Sequence, residues 1–282
     1  MFSPMLAIAL VVLLVVGGVL VGVAGEPVSR TRVERFARRE QLTITPGNGD
    51  HVIRYLATTR RWRVVGLGGG IAASILHYLP NEVRFDTSIV FAGWFAGALV
   101  AEVRVDHLRH GARRAALVRA RRATDYVSRA TWALGLVSAV IAVLTAAATL
   151  AGAATGRAAP DGSAVAWLLI AVGIAVAVRL VQRRVLRRPQ PLAPNDVIAA
   201  DDAIRSRALH VLSAGGTALV LLCVSAQVAA AHPVAVSSVD LSALRGVFAV
   251  LVGVAGWLWA TGSFRTFTAP AGGRAIQPDA LR

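Results

Sequence analysis

The placement of arginine limits what this chain can fold into more than any other feature. All 30 basic residues are Arg, none is Lys, and they gather at the ends of long apolar runs. These runs lie at residues 5–24, 64–79, 88–103, 130–154, 164–178, 208–231 and 246–264. If each crosses a bilayer once, the connections alternate sides. Then 27 arginines fall on one side and three, Arg84, Arg157 and Arg245, on the other. Cytoplasmic connections retain Arg and Lys, so this alternation predicts both the number of crossings and their direction. The expected fold is an all-α membrane bundle of seven transmembrane helices, with the N-terminus outside and the C-terminus inside.

Composition agrees. A hydrophobic content of 56% with positive mean hydropathy lies outside the range of soluble domains. The net charge of +15 would ordinarily raise nucleic-acid binding. Here the arginines flank apolar runs rather than forming a free basic domain, so the expected contact is with anionic headgroups of the inner leaflet, and no nucleic-acid partner is predicted. The single cysteine, Cys223, lies inside an apolar run and reads as a small hydrophobe. Without lysine there is no Walker lysine and no pyridoxal or retinal Schiff base. No H-E-x-x-H, C-x-x-C or G-x-S-x-G pattern occurs. The predicted protein is therefore non-enzymatic, with no cofactor assigned.

Four regions follow. Residues 1–25 form a first span that lacks a preceding basic residue and is followed by five arginines within 30–39. That pattern predicts a retained, reverse-oriented anchor. Residues 26–63 form a basic cytoplasmic connection. Within it Val33, Phe36, Ala37 and Glu40 at helical spacing among arginines predict an amphipathic helix over 31–42, either lying on the inner leaflet or solvated. Pro46-Gly47-Asn48-Gly49 is expected to break the chain, with a helix restarting near Asp50 and Trp62 closing it at headgroup depth. Residues 64–264 hold six spans, and 265–282 form a tail expected to be disordered. The second, third and fifth spans are short and require snorkelling arginines such as Arg104 and Arg179, or local thinning.

Asp50/Arg54, Asp125/Arg129 and Asp201/Arg205 each stand four apart before a span running outward. Asp86-Thr87-Ser88, Asp161-Gly162-Ser163 and Asp240-Leu241-Ser242 each precede a span running inward, 36, 36 and 39 residues later. One reading is an anchor helix plus three repeated helical hairpins. The other is that any hairpin needs capping groups and that Arg-dense connections align by accident.

Small residues four apart, Gly18/Gly22, Gly66/Gly70/Ser74 and Gly93/Gly97, predict close helix packing. Glu102 is the acidic residue nearest the hydrocarbon boundary, with Asp106 on the same face and His107 and His110 following. This group reads either as a cation or proton site or as ordinary ion pairing with Arg109 among headgroups. His77 and His232, near the outer ends of two spans, could ligate haem iron or copper, or simply mark helix termini. Gln227, Ser225 and Cys223 suit hydrogen bonding between helices.

The stretch from Ala92 to Glu102 (AGWFAGALVAE), running into the Arg-rich 113–122, and Ala200-Asp201-Asp202-Ala203-Ile204-Arg205 resemble uncharacterised multi-spanning membrane proteins of high-GC bacteria. The resemblance covers about a quarter of the chain and implies no activity; it singles out Glu102 and Arg205. Two functions remain open. The first is an accessory or scaffold subunit of the cell membrane that engages lipid and a cytosolic or membrane partner, with self-association also open. The second is a small transporter or channel for an ion or solute.

Overall fold

Long uncharged stretches rich in Ala, Val and Leu satisfy their backbone polar groups internally by coiling into helices, and such helices fill the structure. The computed structural model describes residues 4–78, 86–107, 122–155, 162–188 and 194–230. Among these are seven α-helices and no strand: α1 Pro4–Gly25, α2 Arg30–Glu40, α3 Pro46–Tyr78, α4 Thr87–His107, α5 Arg129–Ala154, α6 Ser163–Arg187 and α7 Asn195–Ala230. Five segments are long and apolar enough to cross a membrane: Leu6–Gly25, Thr87–Val105, Arg129–Ala154, Ser163–Arg187 and Asn195–Val228. The expected span at 246–264 and the tail at 265–282 lie outside the described residues. So do His110, His232, Arg84, Arg157, Arg245, Asp161 and Asp240.

Helix α3 departs from the expected reading. Pro46-Gly47-Asn48-Gly49 does not break the chain but forms the first turn of a helix that runs unbroken for 33 residues, about 50 Å. Pro46 fits because the first helical N–H has no partner to lose. Asn48 Oδ1 accepts from Thr45 N (2.9 Å), and Thr45 Oγ1 accepts from Asn48 N (3.2 Å), a reciprocal cap. Thr45 Oγ1 also donates to Asp196 Oδ2 at 2.5 Å, tying the starts of α3 and α7 together. The helix passes the 63/64 boundary without interruption, and its apolar part, Val64 onward, is only about 22 Å long. That half-helix is not among the five long apolar segments.

A second correction concerns α2. It ends at Gln41, whose left-handed φ of 50° lets Leu42 N reach Ala37 O at 2.9 Å. Its apolar side chains do not lie on a bilayer. Val33 and Phe36 are buried against Val52, Tyr55, Val105, Ala200, Ala203 and Ile204, so α2 docks on α3, α4 and α7.

Helix α4 returns antiparallel to α3, and the two touch along the predicted glycines. A Cβ on Gly93 would lie 2.6 Å from Gly70 Cα, and one on Gly66 would lie 2.7 Å from Gly97 Cα. Gly18 and Gly22 differ: both are exposed on α1, and a Cβ on either would meet nothing within 4 Å. Of the contacts near α1, Leu20 Cδ1 stands 3.0 Å from a Cβ on Gly68.

Helix α7 forms the core of the bundle. It packs Phe95 against Gly215, Val178 against Gly216, and Val220 and Val224 with Ala142 and Ala171. Gln182 Nε2 donates to Ser213 Oγ (2.9 Å), and Gln227, with its amide turned to suit its neighbours, donates to Ala142 O (3.2 Å). In contrast, α1, α5 and α6 keep large apolar side chains outward, Leu14 at 74%, Leu136 at 68% and Leu169 at 66% exposure.

Candidate functional site

The helix directions bring the described arginines toward one end of the bundle. Tyr55 of α3 meets Glu102 of α4, Arg205 of α7 meets the end of α6, and Tyr126, just before α5, bonds Asp202 of α7 at 3.1 Å. At this end α2 lies across α3 and α7 and forms one side of an open cavity of about 360 Å³.

Six arginines line it among the described residues: Arg32, Arg35 and Arg39 from α2, Arg60 and Arg63 from α3, and Arg207 from α7. The α2 arginines fall at i, i+3 and i+7, beside the stripe of Val33 and Phe36 that pins the helix, so burying that stripe turns the cations over the cavity. Leu56, Val64 and Trp94 add apolar surface among them, and Glu40 is the single acidic residue among the described lining residues. The Nε atoms of Arg60 and Arg63 are buried and have no hydrogen-bond partner among the described residues. Arg63 stacks over Trp94 at 5.5 Å, and Arg60 Nη1 approaches Glu26 Oε2 at 3.9 Å.

Beneath this cavity lies Glu102, fully buried. Its Oε1 accepts from Tyr55 OH at 3.1 Å, and its Oε2 has no hydrogen-bond partner among the described residues. Arg188, Arg63 and Arg207 act on it electrostatically, and Arg188 Nη2 donates to the Glu102 backbone carbonyl. Burial pushes the Tyr55 phenol well above its ordinary range, and the Glu102 charge adds to the rise. Burial pulls Arg63 below the usual arginine value; Tyr55 opposes this and Arg207 reinforces it. Arg63 remains a cation throughout the working range.

The other predicted positions separate. Glu102 is fully buried within the protein. Asp106 and His107 occupy the last turn of α4. Arg205 is fully buried in an ion pair with Asp201 (2.7 Å), and its Nη1 donates to Val185 O (3.0 Å), which makes it a strut between α6 and α7. His77 is exposed at the far end of α3 with its ring edge-on to Tyr78. The three Asp/Arg pairs occupy three different settings. Arg54 donates to the Asp50 backbone carbonyl (3.3 Å), Asp125 caps the turn Ala123–Asp125 through Arg122 N (2.9 Å), and Asp201–Arg205 is the buried pair. Arg104 stacks on Trp62 at 5.1 Å and Arg179 on Trp132 at 3.7 Å.

Tyr55 and Arg207 carry no motif. The signal for Tyr55 was the helical spacing of Asn48, Val52, Tyr55 and Thr59, the buried face of the first half of α3. No protein-family model, curated protein or solved structure matches the chain.

Proposed function

We propose that this chain is a seven-span cell-membrane protein, N-terminus outside and C-terminus inside. It serves as an accessory or scaffold subunit whose Arg-rich inner face engages anionic lipid and a cytosolic or membrane partner. The observation that carries this reading is the convergence of arginines from α2, α3, α4, α6 and α7 at one end, while α1, α5 and α6 turn Leu14, Leu136 and Leu169 outward. Outward apolar surface of this kind suits acyl chains, and the arginine end suits headgroups and acidic protein surfaces. The first half of α3 and the start of α7, with α2 docked on them, provide a folded platform at the arginine end.

Purification in mild detergent, followed by identification of stoichiometric companions, tests the proposal. A fixed companion lost on Arg-to-Gln replacement across α2 is the expected result. A chain that purifies alone and binds anionic vesicles no better than neutral ones contradicts it. One observation favours a second reading, a small transporter or channel: Glu102 is buried within an apolar helix and one carboxyl oxygen lacks a hydrogen-bond partner. Ion or solute flux in reconstituted protein, abolished by Glu102→Gln, would support that reading; no flux in the parent would remove it.

A further inference from the structure

We infer that the cavity between α2, α3 and α7 is a binding site for a phosphate-bearing anion. The inference deepens the proposed engagement of anionic lipid and rests on the bundle lying in a membrane.

Three observations combine. First, among the described residues six arginines and one acidic residue, Glu40, line one cavity of about 360 Å³. Cations brought this close repel one another, as Arg207 acts on Arg63, and a bound anion relieves that repulsion. Second, the buried Nε donors of Arg60 and Arg63 have no acceptor among the described residues. Buried donors of charged groups are costly to leave unmet. A carboxylate offers two oxygens, too few for guanidinium forks arriving from three helices. A phosphodiester presents four, two of them terminal and anionic, and Arg forks pair with those two bidentately. Third, the lining is mixed: Leu56, Val64 and Trp94 stand among the arginines, and α2 adds Phe36. Such a cavity takes a ligand with an anionic head and an apolar shoulder, the chemistry of a phospholipid at the headgroup boundary.

Helix α2 is the element that makes the site. It contributes three of the six cations while contributing Phe36 to the core below, so folding and ligand capture share one helix.

The test uses the full chain in nanodiscs of phosphatidylglycerol diluted in phosphatidylcholine, with retained lipid counted by native mass spectrometry. The parent is compared with Arg63→Gln, Arg35→Gln and Arg38→Gln. Arg35 lies on the exposed rim of the cavity, so its loss leaves packing intact if Arg63→Gln fails to fold; Arg38 is exposed on α2 but outside the cavity. Saturable phosphatidylglycerol binding weakened on the order of tenfold by each cavity variant, and left about unchanged by Arg38→Gln, is expected. Equal weakening by all three variants overturns the site while leaving general lipid engagement standing. No preference of the parent for phosphatidylglycerol over phosphatidylcholine overturns both. Added inorganic phosphate separates the sources. Displacement of the lipid assigns the site to a free phosphate group, and persistence of the lipid assigns it to a lipid-borne one.

Discussion

Gly66 and Gly93 sit where two backbones touch, and each leaves room for the other. Replacing Gly93 by Val forces a side chain into the space held by Gly70 and displaces α3 from α4. Overpacking of this kind costs about 1–3 kcal/mol, so thermal unfolding of Gly93→Val in detergent should fall by several degrees. Gly18→Ala, which meets open space, should leave the melting temperature unchanged. The residue scale also carries a pH signature. The Tyr55 phenol is held well above its ordinary value by burial, so it stays protonated in the folded chain after an unfolded chain would have released its proton. That stabilisation is complete below the unfolded value and is lost as pH rises through the folded one. At about pH 11, tyrosinate absorbance of native protein should therefore be the same for the parent and Tyr55→Phe, and should differ only after denaturation. Equal spacing proved a poor guide at this scale. Asp50/Arg54, Asp125/Arg129 and Asp201/Arg205 share a four-residue offset, yet only the last pair meets carboxylate to guanidinium. What surrounds a pair is set by neighbouring helices, which the offset does not encode. Removing one partner of a buried pair costs about 3–5 kcal/mol, so Asp201→Asn should reduce folded yield far more than Asp50→Asn, measured by fluorescence-detected size exclusion.

At the scale of elements, apolar runs announced four helices of the bundle directly, because length and lack of charge alone force a membrane-length helix. The starts of α3 and α7 were hidden for a physical reason. Their first halves are polar by composition and buried only on one face, through Asn48, Val52, Tyr55 and Thr59 on α3 and Ala200, Ala203 and Ile204 on α7. A Pro-Gly-Asn-Gly sequence reads as a turn unless a cap such as Thr45 holds it in a helix. Helix α2 was legible as amphipathic, but its partner was not, since sequence periodicity says which face is apolar and not what covers it. The same gap hid the candidate site: the arginines were visible, whereas the meeting of Arg63, Arg207 and Trp94 depends on how three helices cross. Truncating Phe36, which is 6% exposed, removes the centre of the α2 contact. A buried Phe→Ala change costs about 3–5 kcal/mol, so Phe36→Ala should expose the arginines of α2 to rapid tryptic cleavage while α3 and α4 stay protected.

At the scale of the whole molecule, the proposed threading rests on one physical asymmetry: guanidinium groups are expensive in hydrocarbon, which favours keeping the end of the bundle that holds them in the aqueous phase where they are synthesised. The α2 platform and the arginine-lined cavity lie at that end. Single-cysteine labelling in intact cells tests that threading most directly, because the one native thiol, Cys223, is buried. Arg35 and Thr155 are both exposed, at the arginine end and at the opposite end of α5. With a membrane-impermeant maleimide, Thr155→Cys should react in intact cells, and Arg35→Cys only after lysis. Labelling of Arg35→Cys in intact cells, with Thr155→Cys silent until lysis, would contradict the proposed threading.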